Sequence, residues 1–415
     1  MRSRVRENAL CVFLAAAGSA TMAWLGLYGF VWNDYDTEAR PAFGALVHGH
    51  VVSFLQLAPA YGGSLVERAP FALLPGLWSG GQLAVYRMVA FPCLLAAAAL
   101  GVWLVAQMRA REDRSTFARA VALGICVANP LTLRALELGH PEELLGGALC
   151  VAAVLLAVRE RPLWAGLALG LAIANKEWAL LAVGPVLLAL PSRRALCMLS
   201  AGAAAAIVLA PLALVGSGGF VASTRGAAAP PSTIFQPWQV FWFLGHHGAV
   251  VHGLFGAIKP GYRTAPAWVG RISHPLILAF TAPLTALLWR RERRQSDALL
   301  LLALVLLMRY VLDTWDTVYY PIPFVLALLA WECLGDRRRP AVLALSSTVL
   351  AWVSFQWLPM HVSADAQAAF FLAWSLPLAA MLGLWLYAPG LRSRHSRRTA
   401  QETTVSSLGS RLRTS

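Results

Sequence analysis

Apolar runs of about 17 to 23 residues, broken by short charged punctuation, recur along this chain, and that length is what an α-helix needs to cross the hydrocarbon core of a bilayer. With 58% hydrophobic residues, 13% charged residues and a mean hydropathy of +0.62, the chain cannot be a soluble globule. The pattern predicts an all-α polytopic membrane protein of about twelve transmembrane helices, within a range of ten to thirteen, near 9–31, 83–106, 119–136, 143–158, 162–175, 177–191, 195–215, 273–289, 298–312, 320–334, 340–358 and 367–388. The first segment reads as an uncleaved anchor, because about 23 apolar residues are long for a secretory leader.

The basic residues orient these helices, since short cytoplasmic loops collect Lys and Arg. An amino terminus inside (Arg2, Arg4, Arg6) puts Arg109, Arg111, Arg114 and Arg119 inside with it, then Arg159 and Arg161, Arg193 and Arg194, Arg290 to Arg294, and Arg337 to Arg339. Residues 1–391 then form one integral-membrane domain, and the polar, arginine-rich tail over 392–415 is expected to be disordered and cytoplasmic, as is the amino terminus. The net charge of +14 is therefore an orientation signal dispersed over short loops, which excludes the single basic patch of a nucleic-acid partner. Arginine in place of lysine almost everywhere, with abundant alanine, points to a bacterial plasma membrane. The six cysteines (Cys11, Cys93, Cys126, Cys150, Cys197, Cys333) lie in or at the ends of apolar runs without paired spacing and read as packing residues.

Two longer stretches fall on the outer face, 32–82 and 216–272. The first opens on Trp32-Asn33-Asp34-Tyr35-Asp36-Thr37-Glu38-Ala39-Arg40, an acidic cluster where the first helix emerges, and continues in amphipathic runs (45–57, 70–78) suited to helices lying in the membrane interface. A carboxylate cluster at a membrane edge in so uncharged a chain points to chemistry or ion binding. The second stretch is rich in Trp and Phe, as the headgroup layer favours. Its histidines, His246, His247 and His252, lack a carboxylate nearby in sequence and do not form a metal motif. The apolar runs 162–175 and 177–191 flank Asn175-Lys176-Glu177 with no room for a loop, which predicts a tight outer hairpin. Lys176, one of only two lysines, sits at its tip, either snorkelling to water or aiming an ammonium at a phosphate.

These elements, in this order, resemble the GT-C superfamily of membrane glycosyltransferases. The likeness rests on an acidic residue in the first outer loop with Leu46 and Gly49 following at comparable spacing, on Asn129-Pro130, on Gly139-His140-Pro141-Glu142-Glu143, and on Ala165-Gly166-Leu167-Ala168-Leu169-Gly170 leading into Lys176. It is similar in particular to the polyprenol-phosphate-dependent, mannosyltransferase-like branch, of glycosyltransferase family 87 type. The resemblance implies a hexosyltransferase that takes a sugar, with mannose the sugar indicated, from a polyprenyl-phosphate donor to a lipid or glycan acceptor at the outer membrane surface.

Such transfer needs a base for the acceptor hydroxyl, stabilisation of an oxocarbenium-like centre, and charge balance for the departing phosphate. Asp34 is the candidate base and Asp36 the second catalytic carboxylate, and the two could instead hold a divalent cation, Mg²⁺ or Mn²⁺. His140, Glu142, Glu143 and Arg40 are substrate-binding candidates beside them; Glu142 and Glu143 also fit a helix amino-terminal cap. For the phosphate the candidates are Lys176, Arg134 and Arg309, although Arg309 could pair locally with Asp313. Asp316, Tyr319 and Tyr320, in the run Asp313 to Tyr320 at an outer helix end, suit a sugar or phosphate pocket as well as an aromatic belt. Two other classes fit the same helix count: a secondary transporter or lipid flippase, whose charges should gather at the midplane, and a non-catalytic envelope-assembly scaffold, which should tolerate loss of Asp34, Asp36 and Lys176.

Overall fold

The computed structural model describes residues 2–31, 34–110, 115–216, 235–248, 251–252, 258–290, 295–335 and 341–388. Among the described residues the regular structure is helical, apart from two isolated β-bridges, His246 to Thr264 and His252 to Ile258. Each expected apolar segment is occupied by helix, and among the described residues seven helices are long and apolar enough to cross a membrane. Much of the second outer stretch, the carboxy tail, Trp32, Asn33, Arg111, Arg114, Arg291 to Arg294 and Arg337 to Arg339 lie outside the described residues.

Helix α1 (Arg2–Ala23) runs on through a π turn at Trp24–Tyr28. Four short helices follow: α2 (Asp34–Glu38), α3 (Arg40–Val47), α4 (Val51–Gln56) and α5 (Gly62–Leu73). The long α6 (Gln82–Ala110) leads to α7 (Thr116–Val127) and α8 (Pro130–Leu138). One helix was expected over 119–136. The chain breaks there because Pro130 has no N–H to donate, and Asn129 Oδ1 caps the new helix by accepting from the Leu131 backbone N–H at 2.8 Å. Next come α9 (Glu142–Val158), α10 (Pro162–Asn175), a 3₁₀ turn at Glu177–Ala182, α11 (Val183–Ala189) and α12 (Arg194–Val215). The bundle closes with α13 (Val269–Trp289), α14 (Gln295–Leu312), α15 (Ile322–Leu334), α16 (Val342–Trp352) and α17 (Ala364–Tyr387).

Small residues set the closest helix approaches, as expected where lipid tails give apolar side chains no advantage over one another. A Cβ on Gly166 would lie 2.2 Å from Cys197 O, and one on Gly170 2.3 Å from Ala201 O, so the Gly-x-x-x-Gly run of α10 is its seat on α12. All six cysteines are buried. Helix α5 is drawn into the bundle, with six of its twelve residues buried. Gly62, Gly63 and Ser64 let it enter the bundle, with a Cβ on Gly63 only 2.0 Å from Ala174 O, and this buries Arg68 at 2% exposure.

The two ends of the bundle differ in chemistry. At one, Arg109 engages Asn8 and Glu7, Arg159 lies over Trp103, and Arg194 lies over Trp289. The other gathers the carboxy ends of α1, α8, α10 and α14 and the amino ends of α9 and α15, and it holds the buried Arg68, Glu142, Glu143, Arg309, Asp313 and Asp316.

Candidate active site

Gly139 ends α8 in the left-handed region (φ 89°), and a Cβ there would lie 2.6 Å from Tyr35 Cβ and 2.8 Å from the Tyr35 backbone nitrogen. Glycine thus permits the corner between α8 and α9 to close on α2. His140, the next residue, places Nε2 at 3.4 Å from Asp34 Oδ2 and 4.0 Å from Glu38 Oε2, and Nδ1 at 2.8 Å from Glu142 Oε1. The Tyr319 ring lies against the imidazole with centroids 4.5 Å apart, and the Tyr61 hydroxyl donates to Glu38 Oε2 at 2.6 Å. Asp34 stands at the rim, its side chain one-third exposed, while His140 is buried behind it.

Deeper in, Glu142 and Glu143 occupy the first turn of α9, where the helix dipole favours negative charge, and both are fully buried. Glu142 Oε1 lies 3.3 Å from Lys176 Nζ and Glu142 Oε2 lies 3.4 Å from Arg68 Nη2. Glu143 Oε1 accepts from Lys176 Nζ at 3.0 Å and lies 3.5 Å from Arg309 Nη2. The hairpin that carries Lys176 is fastened by Asn175, whose Nδ2 donates to Glu142 O at 3.0 Å. Aromatic faces complete the cations' surroundings: Lys176 lies 4.8 Å from the Tyr61 centroid, and Arg309 lies 4.8 Å from Trp178 and 4.5 Å from Tyr320. Cations and carboxylates alternate, which is how charges can be buried at tolerable cost.

These neighbours govern protonation. Burial disfavours the charged form of His140, but the Glu142 carboxylate and the hydrogen bonds to Asp34 and Glu142 outweigh it and raise its pKa to about 9. At neutral pH the ring is an imidazolium. Burial likewise opposes the Lys176 ammonium, and Glu143 and then Glu142 overcome it, so Lys176 stays charged with its pKa raised. It does not snorkel to water, since only 11% of its side chain is exposed.

The candidates separate into those brought together and those left apart. Asp34, His140, Glu142, Glu143, Lys176, Arg309, Tyr319 and Tyr320 share this one cluster, and Asp316 is buried close enough to Arg309 and Glu143 to feel both. Arg309 faces Glu143, whereas Asp313 lies 3.3 Å from His274 Nε2. Asp36 turns to Arg40 and Arg134 to Glu137, each a local helical pair on a partly exposed face. Among the described residues no group of three or more His, Cys, Asp and Glu side chains is arranged to hold a metal ion. Of the loop histidines, His247 meets a carboxylate distant in sequence, Asp365, at 3.4 Å, and Asp365 is itself clasped by Arg263 with two contacts of 2.8 Å.

Sequence reasoning passed over Glu38, Tyr61 and Arg68. Glu38 could have been found by helical period, because it falls four residues after Asp34 and so on the same face. Arg68 carried a signal too, as an arginine in a largely apolar run introduced by Gly62-Gly63. Nothing local in the sequence marks Tyr61.

A family model described as glycosyltransferase family 87 matches residues 63–312, a span that holds Arg68, His140, Glu142, Glu143, Lys176 and Arg309. No curated protein matches the chain.

Proposed function

The chain belongs to glycosyltransferase family 87, and on that premise we propose that it transfers a sugar, mannose being the first to test, from a polyprenyl-phosphate donor to a lipid or glycan acceptor at the outer face of a bacterial plasma membrane. One observation carries the reading: a rim carboxylate, Asp34, stands 3.4 Å from the buried imidazole of His140, with the cations Lys176 and Arg309 behind it. The outer placement is supported by the end of the bundle at which the cluster sits, opposite Arg109, Arg159 and Arg194, since basic loops mark the cytoplasmic side.

In this scheme the acceptor hydroxyl attacks the anomeric carbon from the side opposite the phosphate. As that C–O bond forms, the bond from the anomeric carbon to the phosphate oxygen breaks, and its electron pair leaves with the lipid phosphate. Asp34 takes the hydroxyl proton, and the configuration inverts. Lys176 and Arg309 stabilise the charge that accumulates on the phosphate. His140 works as a positioning group, holding Asp34 through the 3.4 Å contact. Asp36, paired with Arg40 on the outward face of α2, takes no step in this scheme.

The test is transfer of radiolabelled sugar from polyprenyl-phosphate donors to a lipid extract by purified wild type and Asp34→Asn, each with and without a chelator. Loss of a proton acceptor should cost about 10²- to 10⁴-fold in rate. An Asp34→Asn enzyme as fast as wild type would overturn the base assignment, and chelator sensitivity of the wild type would assign the acidic rim to a divalent cation.

A further inference from the structure

Asp313 and Asp316 are both buried at the end of α14, three residues apart, yet their surroundings are opposite. Asp313 is satisfied: its Oδ1 lies 3.3 Å from His274 Nε2 and accepts from the Trp315 backbone N–H at 2.9 Å. Asp316 is 0% exposed, and neither of its carboxylate oxygens makes a hydrogen bond of standard geometry; the Thr317 backbone N–H and Arg309 favour its charge but do not offset its burial. Burying an unsatisfied carboxyl is costly, and substitution by an apolar residue of similar size would remove that cost. Such a group calls for an explanation, and a partner that is not part of the protein supplies one.

The other orphaned polar atoms nearby indicate what the partner looks like. Trp315 Nε1, Thr314 Oγ1, Tyr310 OH, Glu143 Oε2 and Trp178 Nε1 are likewise buried without a hydrogen-bond partner. Donors and acceptors are mixed, and no full opposing charge is left over for an inorganic anion. Arg309 ties the group together, since its guanidinium faces Glu143 and lies over both Trp178 and Tyr320. Segment 236–240 closes one side, with the Gln236 and Val240 backbone N–H groups donating to Thr314 O and Val311 O. Tyr319, three residues beyond Asp316, packs on His140 and so adjoins the rim where Asp34 stands.

From this geometry we infer that Asp316, flanked by Thr314 and Trp315, is a recognition site for the sugar ring of the donor, its two carboxylate oxygens accepting hydrogen bonds from neighbouring ring hydroxyls. The inference rests on the glycosyltransferase reading above and deepens it by naming the part of the chain that reads the sugar. A polyol suits the site because each hydroxyl both donates and accepts, as the mixed set of orphans requires. The lipid phosphate, one bond from the ring, then falls toward Arg309 and Lys176. Burial, which raises the Asp316 pKa well above the usual carboxylate range, fits a group that takes up its charge only when hydroxyls arrive to solvate it.

The experiment measures binding to full-length protein in nanodiscs of two probes, a panel of radiolabelled polyprenyl-phosphate sugars and the sugar-free polyprenyl phosphate, for wild type, Asp316→Leu and Asp316→Asn. Thermal unfolding of the ligand-free proteins is recorded alongside. The expected result is a loss of about 10- to 100-fold in affinity for the sugar-bearing donor with Asp316→Leu, a smaller loss with Asp316→Asn, and sugar-free lipid held as before. Ligand-free Asp316→Leu should melt at or above the wild-type temperature, which a merely structural carboxylate would not allow. Equal weakening of both probes, lower stability of Asp316→Leu, or unchanged affinity for the sugar-bearing donor would each overturn the inference while leaving the donor assignment intact. Failure of wild type to bind either lipid would overturn the donor assignment, and the inference with it.

Discussion

If His140 is held as an imidazolium by Glu142 and Asp34, its titration should be written into the stability of the protein. The folded-state pKa is raised to about 9 from a reference of 6.5, so folding binds a proton that the unfolded chain gives up earlier. The stabilisation is therefore complete below about pH 6.5 and is lost as pH rises through about 9. At about 1.4 kcal/mol per pKa unit, the difference amounts to about 3 kcal/mol, and His140 is buried enough that solvent screening removes little of it. His140→Gln keeps a polar side chain of similar reach but cannot titrate. Thermal unfolding in nanodiscs from pH 5.5 to 10 would compare the two proteins, and titrations common to both cancel in the difference. Wild type should lose several degrees relative to the variant between pH 6.5 and 9. A difference that stays constant over that window would refute the claim that His140 carries a proton in the native state. The proposed chemistry should follow the same titration, with transfer by wild type falling above pH 9 as the hold on Asp34 loosens.

Two further substitutions test how the cluster is assembled. Gly139→Ala introduces a Cβ 2.6 Å from Tyr35 Cβ at a φ of 89°, and the backbone conformation alone costs a non-glycine residue about 1 to 2 kcal/mol. Pushing α2 from His140 should lower sugar transfer by about 10- to 100-fold in protein that still folds, read as kcat at saturating donor. Arg68→Met leaves Glu142 short of one buried partner and should destabilise by about 3 to 5 kcal/mol, and the double variant Arg68→Met with Glu142→Gln should recover part of it in thermal unfolding.

The helices were legible in the sequence because bilayer thickness fixes their length whatever they pack against. The segment boundaries near 83–106, 195–215 and 367–388 needed nothing more than hydropathy, and the break within 119–136 needed only the weight of Asn129-Pro130 as an end signal. The burial of α5 was harder to see. Its run Gly62 to Leu73 is too short to span and carries Glu67 and Arg68, so it reads as part of a loop. What admits it to the bundle is a backbone approach, Gly63 on Ala174, and a charge partner, Glu142, supplied by a helix 74 residues away. Gly62-Gly63 and Arg68 hint at a close approach and a buried charge, but nothing local names Ala174 or Glu142 as the partners.

The acidic cluster shows the same limit at smaller scale. Read as a string, Asp34 and Asp36 look like a matched pair, the form a metal or a shared proton would favour. Read as helix, residues two apart point about 200° away from each other, and residues four apart share a face. Helix α2 obeys the second reading: Asp34 and Glu38 face His140 while Asp36 turns outward to Arg40. The consequence separates the two readings in an assay. Asp36→Ala breaks a partly exposed pair of the kind that contributes about 0 to 1 kcal/mol, and should leave transfer within about threefold of wild type. Glu38→Ala removes the acceptor of the Tyr61 hydroxyl and a neighbour of the imidazolium, and should cost about tenfold or more. A reversed order, Asp36 costly and Glu38 silent, would restore the adjacent pair as the working carboxylates and would mean that α2 unwinds when substrate binds.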